Sequence, residues 1–228
     1  MTILNVRHTP DAVEVVINDE CEAAGRYFPC PKYVVFRKIN AVLALSGAIA
    51  PLPTISLGIE YGIEREGIDI DLIAAGLPDW LVELYTALAE NDTTRPASMD
   101  AHIALAGYSP KLGRMAAWLF TLSPGKCDVT EMGDNAALMP GDLPAVAGYA
   151  PKSMDDLLHA ARLQNRHAKA SLGPNFPAAG SMDCLTVRRG SVDVERLAPA
   201  EWQDAPKAAL PGKWGFLGAI GVPVKLSA

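Results

Sequence analysis

Two short runs rich in Ile, Leu and Val, residues 2–8 and 13–19, are separated by only Thr9-Pro10-Asp11-Ala12. Aliphatic and β-branched residues on either side of a Pro-Asp turn leave the chain little choice but an antiparallel hairpin. A turn centred between Pro10 and Asp11 pairs residues whose numbers sum to about 21, which puts Thr2 opposite Asp19. Thr2 follows Met1, and its side chain is small enough for an aminopeptidase to trim the initiator. The hairpin therefore poses a chemical question as well as a structural one. A chain beginning at Thr2 carries a hydroxyl nucleophile and its own general base, the α-amine, on one residue.

After a loop at 20–31, "KYVVFRKINAVLALSG" predicts two more strands, 32–38 and 41–46, reversing at Ile39-Asn40 and stopping at Ser46-Gly47. Four consecutive strands thus open the fold. Pro51 and Pro53 break a helix at its start, and Gly58 and Gly62 weaken the remainder, which leaves a short helix at 54–61. In "DIDLIAAGLPDWLVELYTALAEN", Leu72, Ile73, Leu77, Trp80, Leu81, Leu84, Tyr85 and Leu88 recur near helical spacing, so one amphipathic helix is expected, kinked at Gly76 to Pro78. Strand character returns at 101–107 and 113–121, with a turn at Tyr108-Ser109-Pro110-Lys111, and a third, weaker pair is expected around 127–139.

Ser153 and Asp156 form a capping pattern ahead of Leu157, Leu158, Ala161 and Leu163, which marks a second good helix. "GSMDCLTVRRGSVDVERL" is a hairpin turning at Arg189-Gly190. This order suits a layered α+β domain with two sheets and helices outside. Residues 1–197 make up that domain. Residues 198–228, ending in the apolar "WGFLGAIGVPVKLSA", form a tail that packs on it or on a neighbouring subunit.

The 228 residues fit one large domain, and with half of them hydrophobic the chain has material for an extensive core. A net charge of −6 argues against nucleic-acid binding, which calls for a basic face. No stretch approaches eighteen consecutive apolar residues, and Arg7 and His8 stand where a secretory signal needs its apolar core, so no membrane association and a cytoplasmic location are expected. Cys21, Cys30, Cys127 and Cys184 are scattered without a CxxC pair and read as free thiols, although Cys21 and Cys30 bracket one loop. His8, His102, His159 and His167 are dispersed, with no third ligand beside His159 and His167, so no metal is implied. Ser46 lacks a G-x-S-x-G elbow and no Walker or Rossmann fingerprint is present, so no cofactor is implied either.

The order of elements and several stretches resemble the proteasome-like branch of the N-terminal nucleophile hydrolases: proteasome β subunits, bacterial HslV-type peptidases and the Anbu group. "MTILNVRH" looks like that family's opening strand, "VVINDE" like the strand ending in its active-site aspartate, and "NAVLALSG" like the strand running into its oxyanion glycine. "DAHIALAGYSPKLGRMAAWLF" is similar to its central strand and following hairpin, and the resemblance covers about residues 2–197. It implies a four-layer αββα sandwich, a threonine-type peptidase acting on peptide or protein substrates, and a homo-oligomer, a ring or part of one; a partner ATPase or virion proteins stay open.

The resemblance also implies roles. Thr2 is the nucleophile, Asp19 takes the position of the aspartate, and a lysine ion-paired to that aspartate lowers the pKa of the nucleophile. The family's spacing from Gly47 selects Lys32, with Lys38 as competitor; on a continuous strand the two share a face. The Gly47 N–H stabilises the oxyanion. Aligned through "VR", however, the nucleophile position falls on Met1, whereas the hairpin arithmetic selects Thr2. The stretch "NFPAAG" puts Asn175 and Ala178 where the family has an aspartate and a serine, and only Gly180 matches its glycines; Ser181 is out of register. Residues 48–62 also lack the long helix that forms much of the family's ring contacts. Asn175, Ala178 and the apolar tail favour a rival, a catalytically inactive structural subunit of a larger bacterial or phage assembly.

Overall fold

A computed structural model describes residues 2–23, 26–47, 50–91, 101–141, 143–172, 180–203, 215–217 and 222–224. The chain opens with β1 (Leu4–His8) and β2 (Val13–Asn18), whose register, Leu4↔Ile17 through His8↔Val13, has the expected sum of 21. Inside the stretch expected to be a loop at 20–31, β3 (Glu20–Ala23) and β4 (Arg26–Pro29) form a two-stranded ribbon. β5 (Tyr33–Phe36) and β6 (Ala41–Gly47) come next, shorter at the first strand than the sequence suggested because residues 37–40 form the turn, with Asn40 at φ 48°.

Helix α1 (Leu52–Tyr61) begins directly after Pro51, where a fixed φ and a missing N–H are tolerated. A π-helical turn (Gly62–Glu66) ends at Gly67 in the left-handed region, and α2 (Ile70–Asn91) runs unbroken through Pro78. By length and composition Ile70–Glu90 could cross a membrane. In this fold its Ile70, Ile73, Ala74, Leu77, Leu81 and Tyr85 are buried against a sheet.

β7 (Ala101–Ser109), β8 (Arg114–Ser123), β9 (Lys126–Met132) and β10 (Ala136–Met139) continue the chain. The expected third pair does not form. β9 extends the β7–β8 hairpin at an exposed, polar edge, whereas β10, with Leu138 and Met139 buried, leaves for the other sheet and pairs with β1. The chain then makes α3 (Met154–Leu172), β11 (Met182–Arg188), β12 (Ser191–Leu197) and a short α4 (Pro199–Gln203). Gly215–Leu217 and Val222–Val224 pair with each other as a small ribbon.

Two five-stranded antiparallel sheets result, in the orders β10-β1-β2-β11-β12 and β5-β6-β7-β8-β9. Successive side chains alternate between faces. Val42 and Ala44 of β6 therefore join Leu4, Val6, Val15, Ile17, Ala104, Ala117 and Leu185 in a core between the sheets. Leu43 and Leu45 point the other way, into a core with Ile55, Ile59, Leu77 and Leu81 from α1 and α2. On the outer face of the first sheet, Ile3, Val16, Met182 and Cys184 pack with Leu157, Leu158, Ala160 and Ala161 of α3 and with Trp202, which is fully buried and donates its indole N–H to Gly180 O at 3.1 Å. The inner strands of both sheets are thus covered on both faces, which is why β6, β7, β8 and β11 read as near-continuous apolar runs.

α3 starts as the capping pattern anticipated. Ser153 Oγ accepts the Asp156 N–H at 3.2 Å, and the Asp156 carboxylate accepts from Lys152 N at 2.8 Å and Tyr149 Oη at 3.1 Å. Burial raises the Asp156 pKa, but these hydrogen bonds outweigh it and hold the carboxyl below 3.8. A depressed folded pKa stabilises the fold above the unfolded value and loses that contribution as pH falls through the folded one. Asp156→Asn should therefore lower the thermal midpoint at neutral pH and leave it unchanged at a pH below the folded pKa. Ser153→Ala should cost about 1 kcal/mol at either pH in the same calorimetric scans.

Candidate functional site

The strand ends place four chain segments together. Just before β1, Ile3 N donates to Asn18 Oδ1 at 2.7 Å and Asn18 N donates to Ile3 O at 3.3 Å, which fixes the backbone next to Thr2 after the regular ladder has ended. Just after β2, Asp19 N donates to Ser181 O at 3.1 Å, and Cys30 N donates to Asp19 O at 2.6 Å. Lys32 stands immediately before β5, and its carbonyl accepts from Leu45 N at 2.8 Å, so the β5–β6 ladder sets the direction in which its side chain leaves the backbone.

Lys32 is only 1% exposed, and its Nζ donates to Thr2 Oγ1 at 2.9 Å. Lys38 goes elsewhere. The turn at 37–40 ends the strand and with it the shared face, and Lys38 Nζ donates to Ile63 O at 3.3 Å and to Glu64 Oε2 at 3.1 Å on the exposed π-helical turn. Gly47 closes β6 opposite Ala101 with φ 104°, a backbone conformation that L side chains rarely adopt. Thr2, Asp19 and Lys32 are thus brought to one place, with Gly47 at the end of the strand paired to Lys32's own. Met1, Asn175 and Ala178 lie outside the described residues.

The aspartate's ion pair departs from the expectation. Asp19, buried at 3% exposure, is bonded at Oδ2 by Arg196 Nη2, not by Lys32. The Nη1 of the same guanidinium lies 3.7 Å from Oδ2 of Asp183, itself 2% exposed. Asp183 and Arg196 are direct partners in the β11–β12 ladder, and Asp183 sits opposite Ile17 of β2. The Oδ1 atoms of Asp19 and Asp183 are both buried without a hydrogen-bond partner.

Sequence reasoning missed Arg196 and Asp183. A signal for the pair was present, because a hairpin turning at Arg189-Gly190 pairs residues summing to 379, and 183 and 196 do. What the sequence did not show is that β11 pairs with β2, which carries the pair to Asp19.

Burial governs the electrostatics. It pushes the Lys32 pKa below the ordinary 10.5, while the neighbouring acidic groups Cys21, Glu20, Asp19 and Cys30 pull the other way. Burial likewise raises Glu20, and raises Asp183 against the favourable charge of Arg196. The Cys21 thiol is pushed up to about 12, again by burial first. The centre is therefore a cluster of opposed charges, enclosed at Lys32, Asp19 and Asp183, with the partly buried Thr2 Oγ held by a cation. Among the described residues no three His, Cys, Asp or Glu side chains converge as a metal cage.

No protein-family model matches the sequence, and no curated protein matches it. Solved structures do resemble it. Anbu (ancestral beta-subunit) from Yersinia bercovieri superposes with a TM-score of 0.61 at 13% identity, over 88% of this chain and 89% of that one. An Anbu (Gly-1) mutant from Hyphomicrobium sp. strain MC1 gives a TM-score of 0.58 at 12% identity, over 87% of each chain. The likeness is one of fold. The chain is similar in architecture to Anbu over 88% of its length.

Gly180 bears on the geometry directly. A Cβ built there would collide with Asp19 Oδ1 and lie 3.6 Å from Glu20 Cβ. Asp19 is short and enclosed, so the clash cannot be relieved by swinging its end into solvent. Gly180→Ala should displace Asp19 from Arg196 and destabilise the fold by about 1–3 kcal/mol, read as a lowered denaturation midpoint. A variant as stable as the parent would show that Asp19 has room to move aside.

Proposed function

We propose that this protein is a threonine-type amide hydrolase of the N-terminal nucleophile class with the four-layer αββα fold of the proteasome-like branch, acting on peptide bonds in the cytoplasm. The observation that most supports the reading is the hydrogen bond from buried Lys32 Nζ to Thr2 Oγ1 at 2.9 Å. A hydroxyl is a poor nucleophile at neutral pH, and a cation held against it in an enclosed site stabilises the developing alkoxide.

Removal of Met1 would expose the α-amine of Thr2, which takes the Oγ proton directly or through water. Oγ then attacks the carbonyl carbon of the scissile amide. The resulting oxyanion would accept from the Gly47 N–H, and the amine returns its proton to the leaving nitrogen, leaving an ester on Thr2 that water hydrolyses. Asp19 shapes the local field without touching the substrate. Leu57, Tyr61 and Leu72, exposed on α1 and α2, support a homo-oligomeric assembly through that face.

The rival reading, an inactive subunit of this fold, draws on Asn175 and Ala178 in place of the family's aspartate and serine. Intact mass before and after exposure to a β-lactone separates the two. The reading predicts a chain lacking Met1 that gains a single adduct, with no adduct on Thr2→Ala. Retained Met1 without an adduct selects the inactive subunit.

The buried ammonium has two further consequences. Lys32→Met should slow labelling by about 10²–10⁴-fold in a chain that still folds, because Asp19 keeps its Arg196 partner. A variant that simply unfolds would make Lys32 a structural residue. The pH profile carries a sign as well. Charged Lys32 holds Oγ, and its pKa is lowered below 10.5, so the rate should fall on the alkaline side at a pH below 10.5.

A further inference from the structure

Arg196 is half-exposed at its side chain, yet it reaches the two most enclosed carboxylates of the site. Its position is set by three constraints. The β11–β12 ladder sets Arg196 opposite Asp183, the β2–β11 ladder sets Asp183 opposite Ile17, and Asp19 lies two residues beyond Ile17, tied to Ser181 O. The guanidinium is the one side chain bonded to the Asp19 carboxylate among the described residues, and Gly180 leaves the space that its Oδ1 occupies.

We propose that Arg196 is a positioning residue for the Thr2 centre: by holding Asp19, with Asp183 as its anchor on the neighbouring strand, it leaves Lys32 free to bond Thr2 Oγ. The inference rests on the hydrolase reading above and extends it to a residue outside the set implied by resemblance. Its logic is competition for one donor. A buried aspartate needs a cation close by, since an uncompensated charge in a dry site is strongly unfavourable. Lys32 is the other cation of the site. If Arg196 were absent, Lys32 would turn toward Asp19 and release Oγ. Arginine suits the task better than lysine because its rigid fork serves two carboxylates at once and its charge is not lost on burial.

The groups around Lys32 are known from each direction. Asp19, Glu20 and Cys21 face it from the end of β2 and the start of β3, and Cys30 from the segment ahead of it. Asp183 and Arg196 act on Asp19 from β11 and β12, and Lys169 of α3 acts on Glu20. Loss of Arg196 removes the one positive charge paired with Asp19. Lys32 should then hold its proton to higher pH.

Two readouts on Arg196→Gln and Arg196→Lys test this. The first is the rate of β-lactone labelling at Thr2 against pH. The second is the titration of Lys32 Nζ followed by its 15N resonance, which needs no activity. Arg196→Gln should label about tenfold more slowly at neutral pH and move the alkaline limb and the Lys32 titration up together by about one unit, with partial rescue in Arg196→Lys. An unchanged rate, profile and Lys32 titration in a folded Arg196→Gln would overturn the proposal and leave the hydrolase reading intact. If the parent chain does not label at all, the hydrolase reading fails, and the Lys32 titration alone decides whether Arg196 governs that lysine: a shift supports it and no shift overturns it.

Discussion

A lysine ammonium at 1% exposure is the feature on which the arrangement of this site depends. Removing such a charge from water is unfavourable by several kcal/mol after relaxation, so it persists only where opposite charges and hydrogen bonds surround it. Here the surroundings are the strand ends themselves. Asp19 closes β2, Glu20 and Cys21 open β3, and the one side-chain hydrogen bond described for Nζ goes to Thr2 Oγ1. A chain selected for stability alone would fill this volume with an aliphatic residue. The retained charge, aimed at the Thr2 hydroxyl, is the physical reason to look for chemistry there.

The fold supplies the precision. Two sheets share the core between them, and the site lies where β1, β2, β5 and β11 begin or end. The β11–β12 ladder carries Asp183 and Arg196 alongside it, and the regular ladders stop short of Thr2, Asp19 and Lys32. Backbone groups there are held by single bonds such as Ile3 N to Asn18 Oδ1, Asp19 N to Ser181 O and Leu45 N to Lys32 O. Because the first two bonds belong to one sheet and the third to the other, a shift of one sheet against the other would move Lys32 away from Thr2. The apolar core that resists such a shift is therefore part of what aligns the site.

Much of this arrangement is legible in local sequence pattern. The turn of the first hairpin fixes its register to the residue, Leu4 opposite Ile17, and the Ser153–Asp156 cap marks the start of α3. Local pattern does not say which strands meet across the chain. It joins β9 to β10 because they are adjacent in sequence, whereas burial of Leu138 and Met139 carries β10 to β1 in the opposite sheet. The ribbon of β3 and β4 is hidden for another reason: four-residue strands beside Pro29 and Pro31 carry too little periodicity to stand out. At the site, resemblance directs attention to Lys32 and Asp19 but assigns them to each other. Arg196, from the far end of the chain, takes the aspartate, and only the long-range pairing of β11 with β2 reveals it.

The most direct test of the central claim is a crystal structure of the protein after reaction with a β-lactone. A working threonine centre predicts a chain that begins at Thr2, an ester on its Oγ, Lys32 Nζ within hydrogen-bonding distance of that oxygen, and Asp19 on Arg196. An unreacted chain retaining Met1, or an adduct on any other side chain, would contradict it.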